Sequence, residues 1–137
     1  MWWIYALFSA FFAALTAIFA KVGIKGVNTD LATAIRTVVI LLIAWAIAFA
    51  RGGVSTISTL SKQNILFLCL SGIATGLSWI FYFKALQLGK VSQVAPVDKL
   101  SVALAIILSI LFLGEALTWK TGIGSLLIIS GTIVLIL

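Results

Sequence analysis

The chain has 137 residues, 64% of them apolar and 9% charged, with nine Lys and Arg against three Asp and Glu and a formal net charge of +6. Soluble domains carry about a quarter charged residues, so this composition, with a mean hydropathy of +1.31, excludes a water-soluble globule and equally a disordered polar chain. The absence of His, with one Cys and one Met, excludes an internal disulfide framework, a soft-metal cluster and any His-dependent catalytic triad.

The basic residues are scattered between apolar runs, not gathered into a stripe, so no nucleic-acid partner is expected. Neither a cofactor nor an enzymatic activity is expected. A bilayer core about 30 Å thick needs roughly 20 apolar residues per helix. Five runs meet that length: Trp2–Ala20, Leu31–Ala50, Asn64–Lys84, Ser92–Leu113 and Thr118–Leu137. Backbone groups in lipid must be satisfied internally, so the expected fold is an all-α membrane protein, a five-transmembrane-helix bundle in one domain. Barrel strands would be shorter and would alternate polar with apolar residues.

The first span lacks the basic n-region of a signal peptide and is long for its apolar core, so it reads as a retained helix with Trp2 and Trp3 at the interface. Its carboxyl end is Lys21-Val-Gly-Ile-Lys-Gly, and Asn28-Thr-Asp30 offers a cap for the second span. Arg51-Gly-Gly breaks the second span, Gly114 ends the fourth, and Thr118 caps the fifth. Glu115 suits the amino-terminal end of that fifth helix.

Five spans put the two termini on opposite sides of the membrane. Positive residues in the connections are Lys21, Lys25 and Lys90 on one side and Arg51, Lys62 and Lys120 on the other, three against three. Adding Arg36, Lys84 and Lys99, set within spans near the first side, leans the chain towards an outside amino terminus. Balance of this kind is compatible with insertion in both orientations.

Arg36 and Asp98 lie five and six residues into spans that enter from the same side, each at a depth of about 8–9 Å. Lys99 is one residue deeper. Asp98 and Lys99 point about 100° apart on an α-helix, so they are expected not to pair, which leaves Arg36 as the partner for Asp98. Two readings stand side by side: a clamp between the second and fourth spans with Lys99 snorkelling, or a solute or proton site. Lys21 and Lys84 at span ends read as snorkelling anchors.

Ser71, Thr75, Ser78 and Tyr82 recur at i, i+4, i+7 and i+11 on the third span, and Tyr5, Ser9, Phe12 and Thr16 repeat the spacing on the first. Hydroxyls gain nothing from lipid, so these stripes are expected to face other helices or a polar cavity, with Trp79 and Tyr82 as aromatic walls. The plain alternative is interhelical hydrogen bonding. Gly72 and Gly76 beside the stripe, and Gly124 with Gly131 on the fifth span, permit close helix contact. Pro96 fits the first turns of the fourth span or kinks them, freeing carbonyls near Asp98.

The stretch from Lys84 onward, with Ala85-Leu86, Ala95-Pro96, the Leu113-Gly114-Glu115 turn and Gly122-Ile-Gly124 followed by Gly131, resembles the EamA-like domain of the drug/metabolite transporter superfamily. Lys21 and Arg36 extend the resemblance to the amino-terminal part. The segment Ala-Pro-Val-Asp-Lys-Leu-Ser at 95–101 is similar to the short, single-domain members. Larger relatives hold two such domains in opposite orientation, so the resemblance implies a homodimer of this chain, and inverted repeats are a general solution to alternating access. Small multidrug exporters of the same superfamily use a glutamate in their first helix for proton exchange, and no acidic residue stands there in this chain.

The expected function is transport of small organic solutes by an antiparallel homodimer, integral to the inner membrane of a prokaryote. Tyr5, Ser9, Thr16, Ser71, Thr75, Ser78, Trp79, Tyr82, Asp98 and Lys99 are the expected lining residues, with Arg36 and Lys99 setting the field around Asp98. The partners expected are a small-molecule substrate, membrane lipids and a second copy of the chain. The rival readings are a translocator of lipid-linked or anionic substrates, drawing on Arg36, Lys84, Lys90 and Lys99, and a non-transporting accessory subunit.

Overall fold

The structure, a computed structural model, describes residues 1–137. It is all helical: α1 Trp2–Gly23, α2 Thr29–Ala50, a 3-10 segment Gly53–Thr59, α3 Lys62–Leu88, α4 Val91–Asp98, α5 Leu100–Leu113 and α6 Trp119–Ile136. Five stretches are long and apolar enough to span a bilayer, the fourth being α4 and α5 together, Val91–Leu113. The chain is thus an integral membrane protein of the expected class.

The chain divides into two compact units, Phe19–Gln87 and a second made of Met1–Ile18 with Leu88–Leu137. In the first unit the α1–α2 connection is stitched to the end of α3. The Lys21 ammonium donates to the Leu86 carbonyl, one of the carbonyls that the end of a helix leaves without an internal donor. Gln87 Nε2 donates to the Val27 carbonyl at 3.0 Å and to that of Ile24 at 3.4 Å. Ile24, Phe83 and Leu86 are buried at this end. Lys21 is therefore a helix cap and not simply the snorkelling anchor expected of it.

The caps follow the sequence. Asn28 Oδ1 accepts from the Asp30 and Leu31 amides at 2.8 and 3.1 Å, which starts α2 two residues earlier than its apolar run. Gly52, at φ 71°, turns the chain into the 3-10 segment, which lies against the second half of α2. In the second unit Gly114 ends α5 at φ 68°, a conformation in which a Cβ is strained. Thr118 and Thr121 exchange bonds across the first turn of α6, so this pair, not Glu115, supplies the hydrogen-bonded cap. Both α4 and α5 pack on α6.

In the fourth span, expected over Ser92–Leu113 with Pro96 fitting its first turns or kinking them, the helix is interrupted. Pro96 has no N–H and cannot complete the ladder to the preceding turn. One turn later the Lys99 amide is shared between the Ala95 and Pro96 carbonyls at 3.3 and 3.0 Å, and Val102 bonds back to Lys99 at 3.0 Å. This tightened turn separates α4 from α5, with Asp98 and Lys99 at the junction.

Very little is enclosed. The buried side chains are Ala17, Ile24, Phe83, Leu86 and Ala103, with the polar Thr33 and Thr132. Apolar faces turned outward are at home in lipid tails, which are as apolar as the side chains themselves.

Candidate functional site

Two side-chain clusters place ionisable groups within spans, one in each unit. The first is built on α2 and α3. Trp79, Phe83 and Leu86 fall at i, i+4 and i+7 on one face of α3, with Tyr82 alongside. The Trp79 ring meets those of Tyr82 and Phe83 edge-on, centroids 5.5 and 5.6 Å apart, the geometry that ring quadrupoles favour. Above them lies Arg36 of α2, its Cζ 3.4 Å from the Trp79 centroid and 5.6 Å from that of Phe83. A guanidinium at the bilayer centre costs about 2.5–3.5 kcal/mol. The cost falls towards the membrane edge, and a partly desolvated cation–π contact returns up to about 2 kcal/mol, so the rings offset much of it.

The second cluster is the α4–α5 junction. Lys99 Nζ lies 3.3 Å from Asp98 Oδ2, the two side chains being 57% and 35% exposed. This corrects the expectation that the neighbours point too far apart to pair. The 100° rule applies to a continuous helix, whereas here the helix is interrupted at Lys99 and the long lysine stem reaches back. Arg36 belongs to the other unit, where it rests on the rings of α3. Below the junction the Thr132 hydroxyl of α6 donates to the Pro96 carbonyl at 3.3 Å and to its own Ile128 carbonyl at 2.8 Å. The Pro96 carbonyl thus accepts from Thr132 as well as from the Lys99 amide.

The remaining expected residues are dispersed. Thr16 and Thr75 donate to the carbonyls of Phe12 and Ser71, each at 2.8 Å. Such back-bonding satisfies these two hydroxyls on their own helices. Ser71, Thr75 and Ser78 are exposed along α3, as are Tyr5 and Ser9 along α1, whereas Thr16, Trp79 and Tyr82 are half-buried. Of the eleven candidates, the structure brings together Arg36 with Trp79 and, through the rings, Tyr82, and separately Asp98 with Lys99. An apolar groove of about 450 Å³ along Ile4, Leu7, Phe8 and Phe11 and a hollow of about 260 Å³ between α2 and the 3-10 segment offer no charged or hydroxyl lining.

Three residues of these contacts escape a reading of the sequence: Phe83, Thr132 and Gln87. Phe83 carries a legible signal, one turn from Trp79. A polar side chain in the last turn of a span, as at Gln87, is a second. Nothing in the sequence sets Thr132 apart from the other hydroxyls.

The EamA-like transporter family matches residues 1–137 in full. The chain is similar to a protein of Sinorhizobium sp described as an uncharacterized transporter in the cobO 3′ region, 50% identical over 134 residues that cover 98% of this chain and 95% of that protein. It is also similar to an uncharacterized protein of Methanocaldococcus jannaschii, 38% identical over 77 residues, 56% of each chain. No solved structure matches it.

Proposed function

We propose, from the premise that this chain belongs to the EamA-like transporter family and is a membrane transporter, that it moves small organic solutes across the cell membrane of a prokaryote as an antiparallel homodimer with alternating access. Relatives in a bacterium and in an archaeon support the prokaryotic setting.

The observation that carries the dimer is the open face of α3. None of its most apolar stretch is buried, and a Cβ built on Gly72 or Gly76 meets nothing within 4 Å. Small residues bring no benefit towards lipid but allow a second helix to approach closely. A second copy fits that face, and the three-against-three balance of positive connections supports its insertion in the opposite orientation. Two inverted copies supply the symmetry that alternating access uses.

In this reading the exposed hydroxyls of α1 and α3 (Tyr5, Ser9, Ser71, Thr75 and Ser78), with Thr16, Trp79 and Tyr82, line the path. Asp98 binds a cationic group or exchanges a proton as access alternates, with Lys99 as its resting partner. Tagging both termini and testing their accessibility in intact cells checks the dimer: each terminus reachable from both sides supports it, and one fixed orientation removes it. Asp98→Asn is expected to abolish flux of labelled organic solutes from reconstituted vesicles with dimerisation intact, and unchanged flux removes the carboxylate from the site. The Arg36 cluster favours a second reading of the cargo, one bearing an anionic group.

A further inference from the structure

Arg36 is a cation within a span, at α2, held by two rings of α3. Face-on stacking uses only the π surface of a guanidinium. Its N–H donors lie in the plane of the group and point outward along its edge. No acid of the same unit is placed to take them. Among residues 19–87 the single carboxylate is Asp30, against Lys21, Lys25, Arg36, Arg51, Lys62 and Lys84. Asp30 is in the first turn of α2, six residues before Arg36 and so about 240° around the helix.

We propose that the Arg36–Trp79–Phe83 cluster recognises an oxyanion group, a carboxylate or phosphate, on the molecule the protein carries. The planar fork matches the two oxygens of such a group bidentately. Trp79 covers one face of the guanidinium with Phe83 beside it, which shields that face from water and strengthens the charge-assisted bonds along its edge. The six-to-one excess of cations in this unit supplies the matching field. A cation serving only to anchor α2 on α3 requires the rings but not the fork. The proposal rests on the transport reading and names the class of its cargo.

The test uses the full-length protein in phosphatidylcholine nanodiscs and equilibrium dialysis of radiolabelled benzoate, with benzylamine as the cationic counterpart. Saturable benzoate binding is expected, displaced by phenyl phosphate and not by benzylamine. Arg36→Gln is expected to weaken it about tenfold to a hundredfold, the loss of charge-assisted hydrogen bonds. Arg36→Lys keeps the charge without the fork and is expected to fall between, and it preserves the test if Arg36→Gln fails to fold. Benzoate binding that Arg36→Gln and Arg36→Lys leave unchanged, preference for benzylamine, or no saturable binding overturns the proposal.

Adding phosphatidylglycerol to the nanodiscs separates the two sources of such a group. Competition with benzoate supports the site with a lipid headgroup as its natural occupant, and the absence of competition supports it with a free solute. Terminus accessibility is measured independently. Arg36-dependent binding in a chain of one fixed orientation sinks the antiparallel dimer alone, and Arg36-independent binding in a dual-orientation chain sinks the oxyanion site alone.

Discussion

The Thr132 hydroxyl lies 3.3 Å from the Pro96 carbonyl, 36 residues away in sequence, so the tightened turn that divides the fourth span is tied directly to α6. The same hydroxyl reaches its own Ile128 carbonyl at 2.8 Å, and the Lys99 amide already serves Pro96. Thr132→Val is therefore expected to cost only about 0.6 kcal/mol, the typical worth of a polar contact between membrane helices. Thr132→Leu forces bulk into a position only 4% exposed and is expected to cost about 1–3 kcal/mol. Unfolding in detergent micelles followed by circular dichroism measures both. The reverse order would mean that the hydroxyl holds this contact more than the fit of the side chain does.

At the Arg36–Trp79 contact, Trp79→Leu is expected to destabilise the protein by about 0.5–2 kcal/mol through the lost cation–π interaction, with Trp79→Phe losing less. A double-mutant cycle with Arg36→Leu isolates the coupling. A coupling of zero dismisses the stacked arrangement.

The Asp98–Lys99 pair is partly exposed on both sides, so it contributes about 0–1 kcal/mol. Asp98→Asn and Lys99→Gln are each expected to leave thermal stability within that range. If Asp98→Asn removes transport while stability holds, the loss belongs to function. A large drop in stability assigns Asp98 to the scaffold instead.

Gly72→Ala and Gly76→Ala meet no atom within the chain and remove the conformational freedom of a helical glycine. Each is expected to raise helix stability by about 0.8–1 kcal/mol. Gly72→Leu is expected to leave helicity unchanged but abolish dimers in chemical cross-linking, because it fills the space a second copy requires. Undiminished cross-linking moves the dimer contact off this face.

The five spans are legible in the sequence because hydrophobic length is a local property, and so are the caps at Asn28, Gly114 and Thr118, whose chemistry lies within five residues. The α4–α5 junction is half legible. Pro96 marks the place, but its effect emerges one turn later through the shared Lys99 amide. The partners of the ionisable groups are not legible. Depth along a span follows from counting, which makes Arg36 and Asp98 look matched. Azimuth follows from how helices pack, and that sets Arg36 on Trp79, 43 positions further along the chain. The 3-10 segment within 51–63 is marked only by Val54, Ile57 and Leu60 at every third position, a run too short to set it apart from a plain connection.

Seven side chains are all that this chain seals away from its surroundings: Ala17, Ile24, Thr33, Phe83, Leu86, Ala103 and Thr132. At the lipid-facing positions of the spans a side chain need only dissolve in hydrocarbon, a demand that Leu, Ile, Val and Phe satisfy about equally. Lineages of this architecture are free to exchange such residues at most lipid-facing positions, so their sequences drift apart quickly while the rhythm of spans and turns persists. Ancestry in such proteins is better traced through the few enclosed positions and helix-ending residues than through overall identity.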